Sequence, residues 1–174
     1  MAELILNGRN ICFDELESDA EDLSFNFLLS RLKKAIGVTQ INEDLLRTLM
    51  LKKHGRYTNA AILFSDFNPM KSSIINLIAY EDHSVNRIVD RDILEGVSVI
   101  EQYEQCMLFY KKHLNIGEKI EGAYRETIEE IPLVAYREAI ANALVHRDYS
   151  RDSAIRVEIL DRKSTRLNSS HGII

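Results

Sequence analysis

Residues 133–160, LVAYREAIANALVHRDYSRDSAIRVEIL, carry the clearest secondary-structure pattern in the chain. Its first half carries apolar residues at the three- and four-residue spacing of a helix, and Pro132 is well placed at the opening turn of that helix. Its last seven residues alternate apolar with charged side chains, which is typical of a strand with one buried face. The stretch therefore predicts a helix followed by a strand.

Two polar side chains of the predicted helix are candidates for a functional site. Each helical residue turns about 100° from its neighbour, so Glu138 and Asn142 lie on one face. The nearly opposite face is apolar and carries Leu133, Ile140 and Leu144. The carboxylate can take a proton from water, and the amide oxygen is a hard ligand suited to Mg²⁺. Glu and Asn at this spacing are more often two solvated side chains, so a functional and a plain surface interpretation both stay open.

The helix leads into HRDYS, residues 146–150. A histidine at this position is favoured by the helix dipole, with or without a catalytic role. The order His146-Arg147-Asp148 also matches the catalytic loop of protein kinases, which requires an asparagine five residues after the aspartate. Ser153 occupies that position, and no glycine-rich phosphate loop precedes it, so the kinase interpretation is excluded.

The rest of the chain mixes helical and strand-like patterns. Helices are predicted from the N-cap Ser24 to Gly37, from the N-cap Asn42 onwards, and over residues 97–114. Strands are predicted at residues 60–64 and 74–80, with an extended segment at 120–128 and a hairpin turn at Asn7-Gly8. This order predicts an α+β fold.

The composition is that of an ordinary globular protein, with 45% hydrophobic and 28% charged residues among 174. No apolar run approaches the ~20 residues of a membrane span, so no membrane partner is expected.

Cys12 and Cys106 stand far apart, which favours reduced thiols and a cytoplasmic location. The histidines are scattered, so no zinc site is predicted.

The C-terminal sequence DRKSTRLNSSHGII, residues 161–174, follows the predicted strand without a turn signal. Residues 161–171 resemble one reading frame of a common sequencing-library adapter, and we expect an artefactual, non-native tail that packs loosely. The strand at residues 154–160 should then have an unpaired edge that invites association. The tail carries one acidic and three basic residues, a net charge of +2. Because the whole chain has a net charge of −5, residues 1–160 have a net charge of −7. Such an acidic body should bind nucleic acid only locally, if at all.

A longer resemblance suggests a family. The sequences EEIPLVAYREAIANALVHRDYS and AIRVEIL resemble the start of the ATPase-like domain in proteins described as transcriptional regulators or RecG-related ATP-dependent DNA helicases. EDLLRTLMLKKHGRYTNAAILFS, DRDILEG and EGAYRETIEEIP are similar to the middle region of the same family. There, a Schlafen/AlbA-type DNA-binding domain precedes a nucleotide-binding domain of the gyrase–histidine kinase–MutL class. The resemblance covers about residues 42–160.

The resemblance implies ATP and Mg²⁺ as cofactors. Glu138 would be the general base for ATP hydrolysis, and Asn142 would hold the Mg²⁺ of the nucleotide. The pocket would be framed by His146, Arg147, Asp148 and Tyr149. DNA would be bound by a domain before residue 1, and a glycine-rich turn and a lid after Leu160 would complete the pocket, so we expect the chain itself to be inactive.

The implied organisation has four segments: the end of an upstream domain with a helical connector at 1–41, a middle α+β region at 42–130, the first helix and strand of a truncated ATPase sandwich at 131–160, and the tail at 161–174. Two other functions stay open. One is a non-enzymatic dimerisation or sensing module, for which a homo-oligomer is expected, and the other is a plain helical interaction domain.

Overall fold

A computed structural model describes residues 12–81, 87–113 and 131–160, and the backbone of 116–121, 124–129 and 164–168. The described helices are α1 (Asn26–Ile36), α2 (Glu43–Thr48), α3 (Asn59–Phe64), α4 (Val99–His113) and α5 (Leu133–Val145). The described strands are β1 (Lys52–Lys53), β2 (Arg56–Tyr57), β3 (Phe67–Asn68), β4 (Ile74–Tyr80), β5 (Ile88–Leu94), β6 (Gly96–Val97), β7 (Ile116–Glu121), β8 (Tyr124–Glu129), β9 (Ala154–Leu160) and β10 (Ser164–Asn168). The fold is α+β, as predicted.

The chain forms two compact units that interleave along the sequence. Unit 1 comprises Met1–Ser73, Glu95–Gln102 and Asp148–Ser153, and unit 2 comprises Ile74–Leu94, Tyr103–Arg147 and Ala154–Ile174. In unit 2, β4 from the predicted middle region pairs with β9 from the predicted ATPase-like segment. The four predicted segments remain a prediction about the whole protein.

Unit 2 is built on a four-stranded sheet in the order β10-β9-β4-β5. β4 and β9 run parallel, with Ile75 opposite Ile155 and Leu77 opposite Val157, and the outer pairs are antiparallel. These four side chains lie in one buried cluster with α4 and α5 residues. A parallel pair needs a long crossover connection, and the chain between β4 and β9 contains both helices.

Tyrosines fix α5 in this core. The Tyr136 hydroxyl donates to the Cys106 carbonyl at 3.2 Å, and the Tyr110 hydroxyl donates to the Ile131 carbonyl. The rings of Tyr110 and Tyr136 lie 4.7 Å apart between centroids. Burial raises the pKa of the Tyr136 hydroxyl and raises that of the Cys106 thiol to about 12, so both groups stay neutral.

Unit 1 has its own core, in which α1, α2 and α3 pack around Phe25, Leu28, Leu46, Leu51 and Ala61. The predicted cap of α2 is confirmed, because the Asn42 Oδ1 accepts the Leu45 N–H at 2.9 Å. The predicted end of α1 is also confirmed, since Gly37 adopts a left-handed φ of 74°.

The run AAILF, residues 60–64, was predicted as a strand and is helical. It lies in α3, where the Thr58 hydroxyl caps the helix by accepting the Ala61 N–H. In a short, continuous apolar run, the spacing of apolar residues cannot distinguish a buried strand from a buried helix. The two alanines of this run favour the helix. Ala61, Ile62 and Leu63 are all buried.

The prediction of an unpaired edge beyond β9 is wrong. β10 lies within the predicted loose tail and pairs antiparallel with β9 over five residues, from Ser164 opposite Leu160 to Asn168 opposite Arg156. Backbone hydrogen bonding to an open edge outweighs the weak strand propensity of this polar sequence. The predicted turn at Asn7-Gly8 lies outside the described residues.

Candidate functional site

Helix α5 presents Glu138 and Asn142 on its exposed face. Ile140, which is 1% exposed, and Leu144 are buried on the other side. Neither Glu138 nor Asn142 has a side-chain hydrogen bond or ion pair with another described residue. The predicted division of α5 into a packed face and a polar face is therefore present in the structure.

The oxygen atoms on this face fit a Mg²⁺ ion that arrives with a phosphate ligand. Mg²⁺ usually takes one or two protein oxygens and completes its shell with water and phosphate oxygens. The Asn142 amide and the Glu138 carboxylate are one turn apart, which is close enough for both to act on one ligand. No group of three or more His, Cys, Asp or Glu side chains among the described residues could hold a metal alone. A cation at this face would thus need most of its ligands from outside the protein.

Apolar side chains lie beside the polar pair. Val134 is 69% exposed and Val145 is 74% exposed, and helical spacing places both within about 40° of Glu138. A helix that is apolar around most of its circumference is normally covered on more than one side. The exposed face of α5 is therefore suited to contact with a ligand or a partner.

The end of α5 is fixed by Arg147. The His146 N–H donates to the Asn142 carbonyl at 2.9 Å, and the His146 side chain is exposed. The half-buried Arg147 donates from Nη1 to the Ile74 carbonyl at 3.0 Å, at the first residue of β4. Arg147 thus joins the helix to the sheet, which is a structural contact that the resemblance did not assign.

Asp148 organises its own turn. Its carboxylate accepts the Ser150 N–H at 3.0 Å and the Ser150 hydroxyl at 2.5 Å, and it pairs with Arg151 Nε at 3.1 Å. Tyr149, beside it, is half-buried. Asp148 and Tyr149 belong to unit 1, whereas Glu138, Asn142, His146 and Arg147 belong to unit 2. Of the six predicted site residues, the structure places only Glu138 and Asn142 together, one turn apart on the exposed face of α5.

Sequence reasoning missed a cluster at the end of α4. The Asp90 carboxylate accepts from Lys112 Nζ at 2.8 Å and lies 2.5 Å from His113 Nε2. These two partners hold the pKa of Asp90 below its ordinary value. The basic end of α4 was visible in the sequence, but nothing linked it to residue 90.

A second missed cluster lies on β4 and β9. The Tyr80 hydroxyl donates to Glu158 and accepts from Arg156, each at 3.1 Å, while Arg156 and Glu158 form an ion pair at 2.7 Å. The alternation of β9 placed Arg156 and Glu158 on one face. Tyr80 joins them only through the parallel register, which the sequence does not specify.

Comparisons with known proteins support the fold alone. No model of a known family matches the chain, and no curated protein matches it either. Among solved structures, it is similar to the DIP2311 protein of Corynebacterium diphtheriae, with a TM-score of 0.74 and 23% sequence identity. That match covers 93% of this chain and 34% of the other, so this chain spans about a third of its structural neighbour. Within the described part, each helix is too short or too polar to cross a membrane.

Proposed function

We propose that the chain is part of an ATP-binding, DNA-linked regulator and that α5 contributes one wall of its nucleotide site. The observation that carries the proposal is the exposed pair Glu138 and Asn142 on a helix whose opposite face is buried. The burial of Tyr136 and Ile140 in the core of unit 2 orients α5 so that the face of Glu138 and Asn142 is exposed. The small side chains of Ala139 and Ala141, which flank this face, leave room for a phosphate group to approach the helix.

In this proposal each side chain has one task. Asn142 supplies an amide oxygen to the cation of the nucleotide, and Glu138 accepts a proton from the attacking water. The bound Mg²⁺ would supply neutralisation of phosphate charge. His146 lies four residues beyond Asn142 with its side chain exposed, so it extends the same stripe and can contact the nucleotide at its edge.

Nuclear magnetic resonance can test the proposal with Mg²⁺-ATP as the probe. We expect shifts at the backbone amides of residues 138–146, with a dissociation constant in the millimolar range, because one exposed wall offers few contacts. Removing Mg²⁺ should abolish most of the shift. Asn142→Ala should remove the dependence on Mg²⁺, whereas Glu138→Gln should leave binding nearly unchanged. No phosphate release is expected, since transition-state charge needs donors that one wall cannot supply.

Both variants should fold normally, because exposed residues without partners change stability by less than about 0.5 kcal/mol. Glu95→Gln, at an exposed carboxylate of unit 1, is the matched control and should behave like the unmodified chain. If ATP shifts the α5 amides equally in Asn142→Ala, or leaves them unchanged in the unmodified chain, the proposed site is wrong.

The exposed valines favour a second candidate, a helical interaction module. Val134 and Val145 are more exposed than any other apolar side chains that share the face of Glu138. If ATP leaves α5 unaffected, sedimentation of the same samples should show self-association. Val134→Ser with Val145→Ser should then return the chain to a monomer.

A further inference from the structure

The hairpin of β1 and β2 concentrates positive charge in an acidic chain. Residues 52–56 read KKHGR, while the chain as a whole has a net charge of −5. The two-residue turn is His54-Gly55, with φ of 49° and 84°. Positive φ at both positions is the pattern of the tight type I′ turn, which Gly55 tolerates easily and His54 only under constraint. The turn of the hairpin therefore has a defined geometry.

The two faces of the hairpin differ in how closely carboxylates neutralise their cations. Lys52 lies opposite Tyr57, is 19% exposed, and is neutralised by Glu43 at 2.8 Å. Lys53 and Arg56 lie opposite each other on the other face. Like charges directly across a strand pair destabilise a hairpin. The fold nevertheless holds these two cations side by side.

The charges of Lys53 and Arg56 are only weakly compensated within the described residues. Lys53 has no hydrogen bond or ion pair with another described side chain. Arg56 is 65% exposed and approaches Asp19 no closer than 3.8 Å, with Asp19 fully in solvent. Exposed pairs of this kind contribute little to stability. The face is therefore able to exchange its carboxylate neighbour for another anion.

An acidic segment, ELESDAED at residues 15–22, runs beside the hairpin. Its backbone is tied to the chain around β2, with the Ser18 N–H donating to the Tyr57 carbonyl at 2.7 Å and the Asn59 N–H donating to the Leu16 carbonyl at 2.8 Å. These bonds bring Glu17 to 2.8 Å from His54 Nδ1 and Asp19 to Arg56. The segment thus places carboxylates where an external anion would bind.

We propose that the hairpin face of Lys53, His54 and Arg56 binds the phosphates of double-stranded DNA and that the acidic segment covers it in the free protein. The tip contains no apolar residue that could anchor in a lipid bilayer, and Tyr57 packs against the core of unit 1, which favours a phosphodiester backbone over a membrane. Backbone phosphates need only charge and reach, so no base-reading side chain is required. The inference goes beyond the nucleotide face of α5 and does not depend on it.

Fluorescence anisotropy of a labelled 20-base-pair duplex at low salt can test this inference. The affinity of the unmodified chain for the duplex is compared with that of Glu17→Gln/Asp19→Asn. Removing the two covering carboxylates should tighten binding about fivefold, because they no longer compete with phosphate for the cations of the hairpin. Adding Lys53→Gln and Arg56→Gln should abolish the gain. It should also reduce the slope of log K against log salt by about 2, as expected for two lost phosphate contacts.

The matched control is Glu95→Gln/Asp152→Asn, which removes the same charge from exposed positions of unit 1 outside the acidic segment. An equal gain in this control would show a general charge effect and overturn the inference, as would an unchanged affinity in Glu17→Gln/Asp19→Asn. Vesicles containing phosphatidylserine form the second arm. Tighter binding to these vesicles than to the duplex would assign the hairpin to a membrane instead. Circular dichroism of each variant confirms folding.

Discussion

At the residue scale, the start of α1 is held by a carboxylate from a distant part of the chain. Asp66 accepts the Asn26 N–H at 2.8 Å and the Phe27 N–H at 2.9 Å. Partial burial works to raise the pKa of Asp66, but the hydrogen bonds from Phe27 and Asn26 outweigh it and leave that pKa below its ordinary value. Ser24 was predicted to cap this helix. The sequence could not reveal the true cap, because capping patterns are local and Asp66 is forty residues away from Asn26.

Asp66→Ala should lower the free energy of unfolding by about 1–2 kcal/mol at pH 7, the usual range for a lost N-cap. Because the pKa of Asp66 is lower in the folded than in the unfolded chain, its contribution is complete above the unfolded value of about 4 and is lost as the pH falls through the folded value. Urea titrations from pH 7 to pH 3 should show the two curves converging in acid. Asp152→Ala, an exposed aspartate, should match the unmodified chain throughout, and a constant gap across the range would contradict the capping role.

At the element scale, long periodic segments were predictable and short apolar ones were not. The patterns predicted a helix opening at Pro132 and a strand at residues 154–160, and both are present as α5 and β9, because each pattern is set by one face packed on a single core. α3 was missed, since a six-residue helix with three consecutive buried residues shows no period. β10 was missed for a different reason, as its pairing depends on the open edge of β9 and not on its own sequence.

Deleting residues 161–174 should expose the edge of β9. Five paired residues provide a few hydrogen bonds of about 1 kcal/mol each, and ordering those residues costs a similar amount, so we expect stability to fall by no more than about 1 kcal/mol. The larger effect should be association through the seven-residue edge of β9. Light scattering at increasing concentration measures it. Deleting only residues 169–174, beyond β10, is the control and should leave the chain monomeric; a monomeric 161–174 deletion would mean that β10 does not protect the edge.

At the scale of the whole molecule, the candidate site was predictable only in part. The helical spacing of Glu138 and Asn142 was enough to place them on one exposed face. The contact of Arg147 with Ile74 joins residues 73 apart and depends on tertiary packing, which a motif does not encode. The contact of Asp148 with Ser150 is a local turn, which resembles the side-chain turns that aspartate commonly forms, and it was overlooked. The assignment of ATP and Mg²⁺ to this face stays a prediction.

The net charge of the whole chain limits how tightly it can bind DNA. With −5 overall, long-range repulsion should oppose any polyanion, and the proposed hairpin offers two local cations, Lys53 and Arg56, to offset it. We therefore expect the unmodified chain to bind random duplex DNA with a dissociation constant weaker than about 10⁻⁴ M at physiological salt, at the weak end of non-specific binding. Anisotropy titrations between about 0.05 and 0.2 M salt should give a slope of log K against log salt no steeper than about −2, because two phosphate contacts release about two counterions. A slope near −6, or sub-micromolar affinity at physiological salt, would require a basic surface beyond this hairpin. Lys33→Gln with Lys34→Gln, at the end of α1, would then show whether that helix supplies it.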